Sequence, residues 1–213
     1  MIIAIDGPAA AGKGTLARRL AAELDYAYLD TGTLYRAVAL QMLRAGQDPG
    51  DAAVAAATSA ALDPGIFTDP DLRLETTGSA ASKVASVPDV RANLLKYQRN
   101  FACCPPGDKA GAVLDGRDIG THICPDAPLK LFITASPEVR AERRTKEMLE
   151  RGEVANFAAI LADVKARDDR DMNRPDAPMR PAEDAHLLDT SELDIDAVFL
   201  RALDLVEKAG VPQ

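Results

Sequence analysis

Gly7-Pro8-Ala9-Ala10-Ala11-Gly12-Lys13-Gly14-Thr15 carries the most recognisable chemistry in this sequence. Glycines let backbone N–H groups converge on phosphate oxygens, and a following helix adds its dipole. A lysine placed after the second glycine reaches the β- and γ-phosphates of a nucleotide. The context fits. The apolar run Met1–Asp6 reads as a buried strand ending at Gly7, and Thr15–Leu24 sets Leu16, Leu20 and Leu24 at i, i+4 and i+8 of an amphipathic helix. A tight turn with a solvated lysine would leave the full spacing unexplained. The metal-binding hydroxyl usually follows the lysine at once; here Gly14 intervenes and Thr15 is the candidate contact to Mg²⁺, directly or through water.

A phosphate loop alone leaves a small-molecule kinase, a GTPase switch and a motor-like ATPase standing. The guanine-reading Asn/Thr-Lys-x-Asp segment is absent, since Thr145-Lys146 runs into Glu147-Met148. Three further clusters carry charge at expected strand and helix ends: Leu29-Asp30-Thr31-Gly32-Thr33-Leu34-Tyr35-Arg36, Asp115-Gly116-Arg117-Asp118-Ile119-Gly120-Thr121, and Arg167-Asp168-Asp169-Arg170-Asp171-Met172-Asn173-Arg174. In parallel sheets ligands lie beyond the carboxyl ends of strands, so the first two should face the phosphate loop. Arg167, Asp171 and Arg174 fall at i, i+4 and i+7, one helical face. By spacing alone they could equally be solvent-facing ion pairs of about 0.3–0.5 kcal/mol each.

Together these strings, with Ala81-Ser82-Lys83-Val84-Ala85 and Pro88-Asp89-Val90-Arg91, resemble the bacterial cytidylate kinases nearly end to end. The Gly-Lys-Gly-Thr ending of the phosphate loop is typical of nucleoside-monophosphate kinases. The resemblance implies an α/β fold: a parallel five-stranded sheet flanked by helices. It implies one domain over 1–213, with a small monophosphate-binding insert (about 36–96) and a short helical lid (about 143–165). It implies ATP, with Mg²⁺, as phosphoryl donor and CMP or dCMP as acceptor. By the same resemblance Gly7 to Thr15 hold ATP, and Lys13, Arg117, Arg167 and Arg174 are catalytic. Arg36, Arg117, Arg167 and Arg174 hold phosphates, Ser82, Arg91 and Asp118 read the cytosine, Thr31 lines the acceptor pocket and Asp171 contacts the sugar. The residue types suit these tasks. Cytosine shows an N4 donor beside N3 and O2 acceptors, and arginine's planar fork matches phosphate.

The sequence departs from the family pattern twice. Met172 stands where another arginine is expected, which would soften the hold on phosphate. The stretch from Leu62 to Ala80 is shorter than in longer relatives, and is expected to keep two strands of a small sheet. A kinase for another monophosphate, such as UMP, or of broader specificity, and a nucleotide-binding switch or regulatory ATPase are the competing functions.

These groups need a frame. Tyr26–Leu29, Ala112–Leu114, Leu129–Thr134 and His186–Leu188 read as strands. Helices are expected around Leu34–Met42, closed by Gly46, over Ala52–Ala61, and after Pro88. Ser136 caps another that stops at Gly152, and Asn156 caps one running to about Asp171. Ile195–Lys208 is the last. Ile66–Thr68 and Leu72–Thr76, flanking Asp69-Pro70-Asp71, read as a hairpin because Leu72 and Leu74 alternate with Arg73 and Glu75. Strands alternating with helices predict a parallel sheet covered on both faces.

Composition narrows the class. The 213 residues suit one domain, and 47% apolar with 27% charged is ordinary for a globular protein. A net charge of −8 argues against a nucleic-acid partner. Residues 137–180 hold ten basic and ten acidic side chains, so any anion must be met by locally gathered cations there. No apolar run reaches the roughly 20 residues of a membrane span. The three cysteines, two of them adjacent, form neither a disulfide framework nor a zinc pair, so a reducing cytoplasmic setting is expected. A monomer is expected as well. The cysteines are read as small apolar fillers, and His122 and His186 as structural. Asp115 either closes its strand or helps to hold Mg²⁺ through water.

Overall fold

The structure, a computed structural model, describes residues 1–210. Five strands form its centre: β1 (Ile2–Asp6), β2 (Ala27–Asp30), β3 (Ala112–Asp115), β4 (Leu129–Thr134) and β5 (His186–Asp189). Their order is β2-β3-β1-β4-β5 and every neighbouring pair is parallel. Period-two alternation assigns the faces. Ile3, Ile5, Val113, Leu129, Leu131 and Ile133 pack beneath helices α1 (Lys13–Glu23) and α8 (Ile195–Lys208), while Ala4, Ala112 and Leu114 turn to the opposite side. That opposite face is covered by α5 (Pro88–Cys103) and by a turn of π-helix at Ile119–Ile123.

Register places the chemistry. Ile5 pairs with Asp115 and Asp115 with Asp30, so β1, β3 and β2 end side by side and their loops open at one edge. A second core forms beyond that edge. Here α2 (Thr31–Arg44), α3 (Ala52–Ala60), α4 (Glu75–Val84) and the start of α5 pack Leu34, Val38, Met42, Val84, Val90 and Leu94 together. On the other side, α6 (Pro137–Glu150) and α7 (Phe157–Asn173) meet through Ala141, Ile160 and Val164.

Strands and long helices lie where the sequence places them, within a residue or three. The segment through α4 does not: the strand expected at Leu72–Thr76 runs into α4, a helix where none is expected. In place of a hairpin there are two 3₁₀ turns, Pro64–Thr68 and Pro70–Arg73, leading straight into α4. The reason is local. Asp63 and Asp69 each precede a proline, and their carboxylates accept the N–H of Gly65 and Asp71, which starts a helical turn instead of a strand. Leu72 is buried against Ala37 and Leu40, and Leu74 is exposed, so their alternation comes from a turn. The cysteine expectation also fails in part: Cys124 is buried, but Cys103 and Cys104, at the end of α5, are exposed. No helix among the described residues is long and apolar enough to cross a membrane.

Candidate active site

The phosphate loop begins at a point no side chain could occupy. Gly7 has φ 139°, and a Cβ there would lie 1.9 Å from the Ile133 carbonyl oxygen of β4. The loop therefore lies tightly over the sheet before turning into α1. Lys13, only 5% exposed, donates to the Pro8 carbonyl at 2.8 Å and stands 3.9 Å from Asp115. Burial first, then the nearby Arg117, lowers the Lys13 pKa to about 8 despite Asp115, Asp30 and Asp6. Burial likewise raises Asp115 to about 6. A lysine and a carboxylate both drawn toward neutrality mark a dry site with unspent charge.

Asp6, the last residue of β1, ties this loop to the next. Its two carboxylate oxygens accept the N–H groups of Ile119 and Gly120 at 2.7 and 2.8 Å. Burial raises its pKa to about 7 even so. The π-helical turn it holds follows directly on Arg117 and Asp118. Thr31, at the start of α2, donates to the Asp115 carbonyl at 2.8 Å and fastens β2 to β3.

A cleft of about 330 Å³ opens over these loops. Ala9, Ala10 and Gly12 to Thr15 line its floor, with Thr31, Ser82, Asp115, Arg117 and Asp118 around it. Arg36 reaches it over Gly78, where a Cβ would stand 2.9 Å from the guanidinium. Arg144 of α6, Arg167 and Asp171 of α7, and Arg174 just past α7 complete the walls. Gly7, Pro8 and Ala11 of the loop act from behind, Pro8 and Ala11 through carbonyls that accept from Lys13 and Thr190. Arg167, Asp171 and Arg174 are buried, which removes the solvent-facing ion-pair alternative. Arg174 also lies outside the helix, in extended conformation, and so does not share the helical face its spacing suggests. Met172 is 48% exposed and does not line the cleft. Neither His122 nor His186 lines it.

Charge is concentrated unevenly here. Burial, then the Arg167 charge, lowers Arg36 to about 10, and burial with Arg117 lowers Arg167. Arg167 Nε is buried without a hydrogen-bond partner. These guanidiniums lack sufficient counter-charge, as a site for phosphate should. Glu75, at the start of α4, supplies part of it: it pairs with Arg144 and, at 3.3 Å, with Arg167, which also stands 3.9 Å from Asp163. Burial works against the charge on Glu75, but Arg144, Arg167 and Arg36 outweigh that and keep it below its ordinary range.

Of the expected base-reading residues, Arg91 and Asp118 are tied together, while Ser82 is bonded to Asp171 instead. Asp118 Oδ2 accepts from Arg91 at 2.5 Å and Oδ1 from Arg174 at 3.0 Å. Arg91 sits behind Asp118 and Tyr35 and does not itself line the cleft. Ser82 donates to Asp171 at 3.3 Å, and Asp171 accepts from Arg117 at 3.1 Å.

Four residues of this machinery escape the sequence: Asp6, Glu75, Arg140 and Arg144. Buried Arg140 donates to the Ala9 carbonyl at 3.2 Å and bidentately to Asp168 at 3.0 and 2.5 Å, so it binds the phosphate loop to α7. Asp6 adjoins the phosphate loop, but the groups it binds lie more than a hundred residues on, and Arg140 reaches both Ala9, 131 residues back, and Asp168, 28 residues on.

A family model described as cytidylate kinase matches residues 3–208. A protein named cytidylate kinase from Paramagnetospirillum magneticum is 60% identical over 205 residues, spanning 96% of this chain and 97% of that one. Another of that name, from Rhodopseudomonas palustris, is 56% identical over 207 residues, spanning 97% and 96%. Among solved structures, an uncharacterized protein from Eubacterium ventriosum superimposes with a TM-score of 0.56 at 16% identity, over 97% of this chain and 98% of its own. The protein TT1252 of Thermus thermophilus does so at 0.50 and 20%, over 100% and 98%. These two share the fold, and the sequence relatives share far more. A parallel sheet with a lysine-bearing phosphate loop at its edge, matched over nearly its whole length by that family, leaves one assignment: the chain belongs to the cytidylate kinase family.

Proposed function

We propose that this protein transfers the γ-phosphoryl group of ATP to the 5′-phosphate of CMP or dCMP, giving ADP and CDP or dCDP. The observation that carries the proposal is the meeting, in one cleft, of the Lys13 loop with Arg36, Arg117, Arg144, Arg167 and Arg174 beside Ser82 and Asp118. A donor triphosphate on the loop and an acceptor phosphate among the arginines would face each other across it.

The acceptor phosphate has a second pKa of about 6, so at neutral pH it is mostly a dianion and attacks without a general base. Its oxygen forms the new P–O bond as the bond to the ADP oxygen breaks. What the chain supplies is alignment and positive charge. Lys13 and the arginines draw the donor triphosphate and the acceptor phosphate together against their mutual repulsion. Asp118 accepts a hydrogen bond from the N4 amine of cytosine, Ser82 lines the base site with it, and Arg91 supports Asp118 from behind. Asp171, held by Arg117 and Ser82, is placed to take a sugar hydroxyl.

No cluster of three acidic, histidine or cysteine side chains that could cage a metal occurs among the described residues. Mg²⁺ would arrive with the triphosphate and need few protein ligands. Thr15, and Asp115 through water, are the residues that would hold it, and it would neutralise charge on the transferred group. Helices α2 to α4 form the acceptor lobe, about 36–96, and the α6–α7 tip, about 143–165, the lid that excludes water. We place the enzyme in the cytoplasm, as a monomer; the free, exposed Cys103 and Cys104 suit a reducing compartment.

The test is ADP release with CMP, dCMP, UMP, AMP and dTMP offered in turn. CMP and dCMP should give the highest kcat/KM. Preference for UMP or AMP would assign another monophosphate, and turnover indifferent to the acceptor would indicate a switch or simple ATPase.

A further inference from the structure

Arg91 is 3% exposed and carries a full charge, so its position depends on what holds it. Three groups do. Its Nη2 donates to Asp118 at 2.5 Å, its Nη1 faces the Tyr35 hydroxyl at 3.4 Å, and its Nε donates to Asp176 at 2.9 Å. Asp176 is neither in the cleft nor in any motif of the sequence.

Asp176 belongs to a short clip that follows α7. Arg174 folds back on it, donating from Nε to the Ala177 carbonyl at 2.8 Å. Ala177 takes a left-handed φ of 43°, a conformation that a non-glycine residue holds only when its surroundings fix it. Beyond it Met179 is buried, and its N–H donates to the Asp171 carbonyl at 2.8 Å. The clip thus presents Arg174 and Asp176 together. Arg174 takes one oxygen of Asp118, and Asp176 takes Nε of the arginine that holds the other. The charges alternate along the chain of contacts, Asp176, Arg91, Asp118, Arg174, and its two ends lie two residues apart.

We propose that Asp176 is a positioning residue for selection of the acceptor base, fixing the plane of Arg91 and, through Arg91, the Asp118 carboxylate. This rests on the reading that Asp118 and Arg91 recognise cytosine. A carboxylate oxygen attracts the N4 amine of cytosine and repels the O4 carbonyl of uracil, but only while it is held still. With Asp176 gone, Arg91 keeps only Asp118 and the Tyr35 hydroxyl, and its plane is less firmly fixed. The Oδ2 side of Asp118 then loosens while Arg174 keeps Oδ1, which weakens its aim at cytosine and eases its conflict with uracil. Discrimination built on unpaired buried groups is lost in this way.

The test is steady-state kinetics of Asp176→Ala, Asp176→Asn and Asp176→Glu beside Arg91→Ala, with CMP and UMP as acceptors. For Asp176→Ala the KM for CMP should rise by roughly fivefold, more than kcat falls, and the CMP-to-UMP ratio of kcat/KM should fall by about tenfold, a discrimination of the size that one pocket contact supplies. The KM for ATP should stay within about twofold. Asp176→Glu should recover part of the ratio and Asp176→Asn less. If Arg91→Ala lowers the ratio while all three Asp176 variants keep it, the role of Asp176 is overturned and the base-site reading stands. If Arg91→Ala leaves the ratio unchanged, the base-site reading fails and the proposal with it. A lower Tm with an unchanged ratio, or equal rises in the KM for ATP and CMP, would make Asp176 structural only and also overturn the proposal.

Discussion

Lys13 shows what a single buried residue contributes and what it costs. Burial holds its pKa at about 8, whereas a triphosphate beside it favours the charged form. Binding ATP must therefore draw a proton onto Lys13 whenever the free protein is above that pKa. The expected result is affinity for ATP that is level below pH 8 and weakens above it, by at most about tenfold per pH unit. Titration calorimetry at pH 8.5, in buffers of different ionisation enthalpy, should record proton uptake on binding, and Lys13→Ala should record none. Proton release by the wild type would contradict this. The loop around Lys13 is legible in the sequence because its residues are contiguous and their spacing is dictated by phosphate geometry. Glu75 and Arg140 are not, because each acts on residues far along the chain and nothing in its neighbours announces that.

At the scale of elements, the cleft is bounded by helices that share one acidic contact. Glu75 opens α4 and is held by Arg144 of α6 and Arg167 of α7, so it joins the proposed acceptor lobe to the proposed lid. Neutralising it leaves Arg36, Arg144 and Arg167 facing one another with less counter-charge. Glu75→Gln is therefore expected to lower the Tm of the nucleotide-free protein by several degrees, the effect of about 1–2 kcal/mol on a domain of this size. Saturating nucleotide should close most of that gap, because phosphate supplies the missing charge. Thermal scans with and without ATP and CMP measure both. A gap that persists unchanged with nucleotide would mean that Glu75 does not share the phosphate site. This segment is also where sequence reasoning errs most. Leu72 and Leu74 alternate as strand residues do, yet the Asp-Pro pairs at 63–64 and 69–70 start helical turns. Here capping chemistry outweighs a short periodic pattern. By contrast α5 and α7 span several turns each, and their buried stripes are long enough to leave no ambiguity.

For the whole molecule, alternating strands and helices predict the parallel sheet, but its order depends on β3 inserting between β1 and β2, which no local signal encodes. The consequence is that Asp6 and Asp115 end adjacent strands in a dry interior. Their folded pKa values, about 7 and about 6, lie above the ordinary 3.8. Carboxyls raised in the fold stabilise it most below their unfolded pKa, and that contribution is lost as pH rises through the folded values. The protonated fold is thus favoured, and nucleotide-free protein should be more stable at pH 5.5 than at pH 7.5, by on the order of 1–3 kcal/mol. Asp6→Asn should flatten that slope in urea titrations at the two pH values. A stability that climbs over this window would contradict the burial of these two acids as described.

The central claim is that one cleft brings donor and acceptor phosphates together and keeps water from the transfer. Following the γ-phosphate label of ATP in a single turnover with CMP tests it most directly. The account predicts that the label moves into the β-phosphate of CDP, with little inorganic phosphate and almost no turnover when CMP is left out. Label released as inorganic phosphate at the same rate with and without CMP would contradict it.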